Sequence, residues 1–378
     1  MRAWIGGNRY DRFELAGAFG DLGTLVPFLV GYITISRLDP VGVLVAFGLF
    51  MILTGLYFKS PLPVQPMKAI ATAAISRPDL FTPGAIWASG LFTGVFWLVM
   101  GLTGAVNWIA KVTSRPVVAG IVLGLGLSFV VQGARMMQGQ PLLALAAVVL
   151  TFALLSNERF PAMPALLGFG LVVALAQRPG LVAELTRMSL RVRLPEFPLA
   201  RLTGTDLVTG IVWLGLPQAA LTLGNAIIAT VQEHSALFPN RPISVRAVTL
   251  NHATMNLFGS AIGGVPMCHG AGGMAGHVRF GARTGGAVVM LGAILLLIGL
   301  ALGNSVGTLF NLFPPAILGT VLLFGGLELA ASAHHRAESR GDRYVMVLTA
   351  GLALWNMGVA YLAGMLLWVA VDRGWLRL

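Results

Sequence analysis

Apolar runs of membrane-span length recur along the chain. "VGVLVAFGLFMILTGLYF" at 41–58 and "GGAVVMLGAILLLIGLALG" at 285–303 are two of them. Each is close to the roughly 20 residues that a helix needs to cross hydrocarbon. With polar and Gly/Pro breaks as boundaries, the pattern predicts fourteen apolar segments. Seven lie at 13–35, 38–58, 64–76, 83–106, 116–134, 141–156 and 160–177, and seven at 206–230, 244–262, 266–276, 285–303, 306–330, 343–356 and 358–371. The longest polar stretch, "QRPGLVAELTRMSLRVRLPEFPLARLTGTD" at 177–206, separates the sets. The expected organisation is a first half at 1–177, a connection at 178–205 and a second half at 206–378.

The halves match weakly but at informative places. The first segment carries Pro27 within "LGTLVPFLVGYITI" and the eighth Pro217 within "LGLPQAALTLGNAIIA". The third is short and opens with "PLPVQPMKA"; the tenth is short and opens with "GGVPMCHGAGG". Seven is odd, so a second set of seven runs inverted to the first. Short, Gly/Pro-interrupted segments at matching positions of two halves point to a transporter binding site. The third and tenth are therefore expected to be half-helices starting near residues 65–67 and 267–269.

Composition agrees. Hydrophobic residues make up 56% of the 378 and charged residues 10%, against about 25% charged in soluble domains. The 48 glycines and 20 prolines suit membrane helices. The fold class expected is an all-α polytopic membrane protein. A net charge of +11 raises nucleic acid as a partner, but no basic block or stripe supports it. The bland explanation is the excess of Lys and Arg in cytoplasmic loops. Most of these residues fall inside if both termini are cytoplasmic. The N-terminal "MRAWIGGNRYDRFEL" lacks the features of a signal peptide. The expectation is a multi-pass protein of a bacterial inner (plasma) membrane, in contact with lipid.

The short segments carry the chemistry. A half-helix starting in mid-membrane exposes backbone N–H groups that cannot stay unsatisfied in hydrocarbon. Its dipole puts partial positive charge there, so such an end is an anion site. Pro63 and Pro66 end the extended stretch and start the helix, Gln65 offers an amide, and Lys68 adds a full charge in the first turn. A charge inside the membrane costs roughly 2.5–3.5 kcal/mol on the lenient scale, so Lys68 needs a reason. Two readings of Lys68 stay open: an anion or coupling ligand, or a structural partner of Asp21 or Glu14, the two carboxylates that are themselves the candidates for coupling. Polar residues of the first and eighth segments complete the cavity: Asp21 and Thr24, then Gln218, Thr222 and Asn225, whose spacings of four and three share a helix face.

Other signals are weaker. Gly270, Gly272 and Ala275 fit G-x-G-x-x-A, but no βαβ context accompanies them. Cys268, the single cysteine, excludes a disulfide framework. With His269 and His277 it does not assemble a metal site, so no metal and no cofactor are expected. His277, Arg279 and Arg283 read as a cytoplasmic helix end, and Glu328 with His334 and His335 as interfacial polar groups. No catalytic triad, phosphate-binding loop or carboxylate pair stands out, so the chain is not expected to be an enzyme.

"FELAGAFGDLGTLVPF" (13–28), "PLPVQPMKAIATAAI" (61–75), "LPQAALTLGNAIIA" (216–229) and "VPMCHGAGGMAGHVRFGARTGG" (265–286) resemble the molybdate transporter family related to the SulP sulfate permeases. The resemblance runs along essentially the whole chain. It implies a fourteen-segment, 7+7 inverted repeat like that of SulP and nucleobase transporters. It further implies a core of segments 1–4 and 8–11, a gate of segments 5–7 and 12–14, and uptake of molybdate. Carried over by motif, Gln65, Met67 and Lys68 match the first half-helix, and Met267, Cys268, His269 and Gly270 the second. The chain ends just after the last segment, without the cytoplasmic STAS domain of sulfate permeases, which favours the molybdate branch. Sulfate or another oxyanion as cargo, and an anion channel on the same scaffold, are the alternatives. Dimers are usual for relatives of this fold, so a homodimer is a further expectation.

Overall fold

The computed structural model describes residues 3–112, 114–155, 162–188, 190–310, 312–332, 339–355 and 357–376. A small hairpin opens the chain: β1 (Ala3–Ile5) and β2 (Asn8–Tyr10) turn through Gly6 and Gly7 at φ +60 and +85, where an L side chain would be strained. Helix α1 (Arg12–Ala18) starts at Asp11, whose carboxylate accepts the N–H groups of Phe13 and Glu14, an ordinary N-cap. A 3-10 turn (Phe19–Asp21) leads into α2 (Leu22–Thr34). The first half continues with α3 (Pro40–Phe58), the two-residue strand β3 (Gln65–Pro66), the short α4 (Lys68–Ser76), α5 (Pro83–Thr103), α6 (Ala105–Val112), α7 (Arg115–Met137), α8 (Pro141–Leu154) and α9 (Ala162–Gln177).

The connection forms α10 (Gly180–Thr186), an extended stretch and a 3-10 turn (Pro198–Arg201). It is docked: the Arg191 and Arg193 N–H groups donate to the Ala301 and Leu300 carbonyls, and the Arg193 side chain pairs with Asp39. The second half starts with a continuous helical stretch: α11 (Gly204–Thr209), a π-helical turn (Gly210–Gly215), α12 (Leu216–Leu221), a second π stretch (Thr222–Ala229) and α13 (Thr230–Leu237). Next come α14 (Val245–Ala261), β4 (Met267–Cys268), α15 (Ala271–Arg279), α16 (Gly286–Leu302), α17 (Val306–Phe310), α18 (Pro315–Ser332), α19 (Arg340–Ala353) and α20 (Met357–Asp372).

By length and composition, α3, α5 and α7 are each able to cross a membrane, and residues 12–34 and the pair α9–α10 pass the same test as bent units. Helices α8 and α16 are apolar but shorter. Some expected segments are interrupted for visible reasons. Segment 206–230 switches into π geometry twice, and segment 306–330 breaks between α17 and α18 before Pro314 and Pro315. Glu328 falls within α18; His334 and His335 lie outside the described residues.

Packing pairs the halves crosswise. Helix α3 lies against α16, α14 against α5, and α7 against α18. Counted by segment, these are second with eleventh, ninth with fourth, and fifth with twelfth. Small residues permit the approach. A Cβ at Gly126 would sit 2.6 Å from the Ala330 nitrogen, and one at Gly326 2.7 Å from the Gly126 carbonyl oxygen. Seven residues away along each helix, Gly133 and Gly319 face each other likewise. Large apolar side chains buried between the layers include Tyr32, Phe47, Trp97 and Phe324.

Candidate functional site

The extended leads of the two short helices cross. Strands β3 and β4 pair antiparallel, Gln65 opposite Cys268 and Pro66 opposite Met267. The Met67 N–H donates to the Pro266 carbonyl at 2.9 Å. Helices α4 and α15 thus leave one small ribbon, a pairing of their leads that the sequence did not announce. They begin a little later than expected, at Lys68 and Ala271. Gln65, Met267 and Cys268 belong to the ribbon, and Met67 and Gly270 are the N-cap positions. Each helix end lacks a side-chain cap from its own N-cap residue.

The two ends are finished differently. The Gln218 side chain of α12 accepts the Ala69 N–H at 2.9 Å and the Ile70 N–H at 3.4 Å, while its amide donates to Thr222 at 3.0 Å. Gln218 thereby caps α4 from outside. At α15 the first turn is Gly270–Ala271–Gly272–Gly273. A Cβ at Gly270 or Gly273 would collide with the Gln65 amide, and one at Gly272 with the Phe129 ring. These glycines let other side chains press onto the helix end.

A narrow recess, too tight to admit a water molecule, lies there, lined by Gly20, Asp21, Gly23, Thr24, Phe129, Gly272, Val321, Leu322 and Gly325. Asp21 and Thr24 come from the first segment and Gly272 from the tenth. Phe129 belongs to α7, and Val321, Leu322 and Gly325 to α18. Buried polar groups surround the recess. Gln65 donates to Asp21 Oδ1 at 2.7 Å. Asp21 Oδ2, Gln65 Oε1 and Lys68 Nζ are buried without a hydrogen-bond partner. Among the described residues no carboxylate stands within ion-pair distance of Lys68, which instead points its ammonium at the Phe129 ring, 4.3 Å from the centroid. The direct Lys68–Asp21 pair held open by the sequence is not made; Gln65, which bonds Asp21, lies in the lead of the helix that Lys68 opens. The Lys68–Glu14 pair is absent too. Glu14 is buried elsewhere, accepting the Arg283 and Thr284 N–H groups at 3.0 and 3.3 Å.

His269 is also placed differently from its expected position in the first turn of α15. It precedes the helix, and its ring turns away toward the Pro63 carbonyl and the Asn251 side chain, both at 2.8 Å. Its backbone N–H donates to His252 Nε2 at 3.2 Å. Asn256 completes this support from α14. It donates to the Met267 carbonyl at 2.7 Å and accepts the Met267 N–H at 2.8 Å. His277, expected at a solvated helix end, is buried and bonds the Gly17 carbonyl at 2.7 Å, whereas Arg279 and Arg283 are exposed. Asn225 is buried in the second π stretch with an unpartnered Oδ1, and the structure leaves it off the recess wall. Cys268 is buried in the ribbon, its thiol toward the Pro66 carbonyl.

Sequence reasoning missed Asn251, His252, Asn256 and Phe129. The first three had a signal: "NHATMN" at 251–256 puts polar residues four and five apart in the ninth segment. Phe129 had none, since a phenylalanine in an apolar run reads the same whether it faces a site or lipid.

A family model described as "Molybdate transporter of MFS superfamily" matches residues 13–129 and 210–329, well over half of the chain. The chain is 32% identical to Molybdate transporter 2 of Arabidopsis thaliana, an alignment covering 92% of this chain and 84% of that protein. It is 30% identical to Molybdate transporter 1 of the same plant, covering 96% and 88%. Against Molybdate transporter 1 of Chlamydomonas reinhardtii the identity is 29%, covering 93% and 90%. Among solved structures, the transmembrane domain of a cyanobacterium bicarbonate transporter, BicA, superposes with a TM-score of 0.57 at 17% identity, covering 93% of this chain and 97% of that one. Murine Slc26a9, an anion transporter in the inward-facing state, gives 0.60 at 14%, covering 98% and 69%. The fold is that of these helical membrane transporters, and the named relatives are transporters rather than enzymes.

Proposed function

The chain belongs to the molybdate transporter family, and on that premise we propose that it imports molybdate as a secondary transporter, holding the anion between Lys68 and the start of α15, where the narrow recess widens to admit it. The observation that carries this reading is the Lys68 ammonium, buried without a hydrogen-bond partner in the first turn of α4 and over the Phe129 ring that abuts the first turn of α15. A helix end contributes about half a positive charge. Gln218 covers part of α4, so α15 and Lys68 together supply most of the countercharge for a dianion. Gln65, Met67, Met267, Cys268 and Gly270 build the ribbon and caps that set this geometry. Thr24 lines the recess, Gln218 caps α4, and Asn225 and His269 act from behind the site.

Fourteen membrane segments in a 7+7 inverted repeat are part of the proposal, supported by the exchange-symmetric packing of α3 on α16 and α14 on α5. So is a core of segments 1–4 and 8–11 moving against a gate of segments 5–7 and 12–14. The recess walls support it, drawing Asp21, Thr24 and Gly272 from the core and Phe129 and Leu322 from the gate. Asp21 is the coupling residue proposed: with Lys68 it sums to zero charge, and taking a proton would offset part of an incoming dianion. Glu14, a coupling candidate in the sequence, serves the 283–284 turn instead. Cytoplasmic termini, a bacterial inner membrane and a homodimer complete the proposal. Outward apolar residues such as Leu142, Phe152 and Leu366 support lipid contact.

Uptake of labelled molybdate into proteoliposomes, with sulfate and tungstate as competitors, tests this. Saturable uptake inhibited weakly by sulfate is expected. Preferential sulfate uptake would make another oxyanion the cargo, and macroscopic currents in planar bilayers would make the protein a channel.

A further inference from the structure

The Phe129 side chain is held between two glycines. On one side its Cβ lies 2.8 Å from where a Cβ of Gly326 would be; on the other its ring edge occupies the place of a Gly272 side chain. Gly326 belongs to α18 and Gly272 to α15. The ring is largely buried, at 7% exposure. The Lys68 ammonium stands over the ring, 4.3 Å from its centroid. A cation over an aromatic face is attracted by the ring quadrupole, more so when both are out of water. No hydrogen-bonding group competes for that ammonium. Phe129 sits on α7 and Lys68 on α4, so the contact joins elements assigned above to gate and core.

We propose that Phe129 is the partner of Lys68 in the anion-free protein, a competitor that an incoming oxyanion must displace, so that filling the site releases one core–gate contact. The proposal rests on the anion-site reading of Lys68. An anion beside Lys68 neutralises the charge the ring attracts, and the ring offers nothing in exchange. Occupancy is thereby tied to domain contact through two side chains, without a change elsewhere. The sequence holds the pieces in place: glycine at 326 lets the Phe129 Cβ close on α18, and glycine at 272 leaves room for the ring against α15.

The test replaces Phe129 in the full-length protein by mono-, di- and trifluorophenylalanine, which drain the ring quadrupole with little change of shape. Thermal unfolding of the anion-free protein is measured in the Lys68 and Lys68→Met backgrounds, and molybdate affinity in the Lys68 background. The expected result is a melting temperature that falls with fluorination relative to the Lys68→Met series. Molybdate affinity should rise in step, reaching roughly tenfold for the trifluoro ring, which is what losing a desolvated cation–π contact implies. Identical fluorination effects in both backgrounds would overturn the proposal and leave Phe129 as packing. If the parent binds no molybdate, the substrate reading fails, yet the two melting series still decide the contact between Phe129 and Lys68.

Discussion

Replacing Asn256 with leucine removes the amide that holds β4 while keeping the same branched heavy-atom skeleton. The Met267 N–H and carbonyl both bond the Asn256 amide, at 2.8 and 2.7 Å, and Asn256 is fully buried. Both Met267 groups point out of the ribbon: the Met67 N–H bonds the Pro266 carbonyl, which makes Pro66 and Met267 the non-hydrogen-bonded pair of the alternating antiparallel register. The substitution therefore strands one donor and one acceptor in the interior. Each orphaned buried group costs about 1–3 kcal/mol, so the loss should total about 2–6 kcal/mol. The amide's third bond, to the His252 carbonyl, adds little, since that carbonyl also serves the helix ladder. Denaturant unfolding of the detergent-solubilised protein measures the stability term, and titration calorimetry with molybdate measures affinity. Asn256→Asp should lie between parent and leucine variant, because a carboxylate still accepts the Met267 N–H but repels its carbonyl. A leucine variant within about 0.5 kcal/mol of the parent, a surface-like effect, would refute the claim that this side chain sets the ribbon.

Three further outcomes are expected. Lys68→Ala should weaken molybdate binding by about 100-fold or more, as deletion of one partner of a buried charge pair does; Lys68→Arg should be impaired because the planar head is not equivalent, and rescue of uptake by adding Asp21→Asn to Lys68→Ala would make Lys68 structural. Gly276→Ala should lower stability by about 1–3 kcal/mol, since its Cβ would meet the Gly20 carbonyl of the first segment, whereas Gly139→Ala, with open space around it, should leave the melting temperature unchanged. Asp206→Ala should cost about 2 kcal/mol in thermal unfolding, because its carboxylate completes the capping box with Thr203 and also accepts the Thr82 hydroxyl at the start of α5.

What was legible in the sequence is what membrane physics writes into composition. Apolar runs marked the long helices, and the proline-led motifs marked both short ones, because a break inside a hydrophobic segment must be bought with residues that tolerate it. Lys68 and Asp21 announced themselves as charges in an apolar context. Less legible was which polar group meets which. Gln65 and Gln218 were both read as ligand-facing amides, yet one holds Asp21 and the other caps α4. Their partners are 44 and 149 residues away in sequence, and no local periodicity encodes such pairs. His269 faces away from the recess for the same reason: its orientation follows Pro63 and Asn251, residues of two other segments.

The crossing is symmetric in its backbone and asymmetric in its support. The tenth segment's lead is fastened to α14 by four side-chain-mediated bonds, from Asn256 to both Met267 groups, from the His269 N–H to His252 and from the His269 ring to Asn251. Among the described residues the third segment's lead has no comparable set of anchors in its own half. It is held by the ribbon itself, by Gln65 bonding Asp21 and by Gln218 reaching α4 from the second half. A repeat whose halves were energetically equal would give the anion two equivalent helix ends. Here one end is capped by a glutamine and carries the lysine, and the other is bare glycine backbone on a rigid mount. The charged group and the bare backbone donors are thus divided between the halves. On the function proposed above, an anion engaging both would draw the less anchored Lys68 side of the crossing toward the α15 side, rather than the reverse.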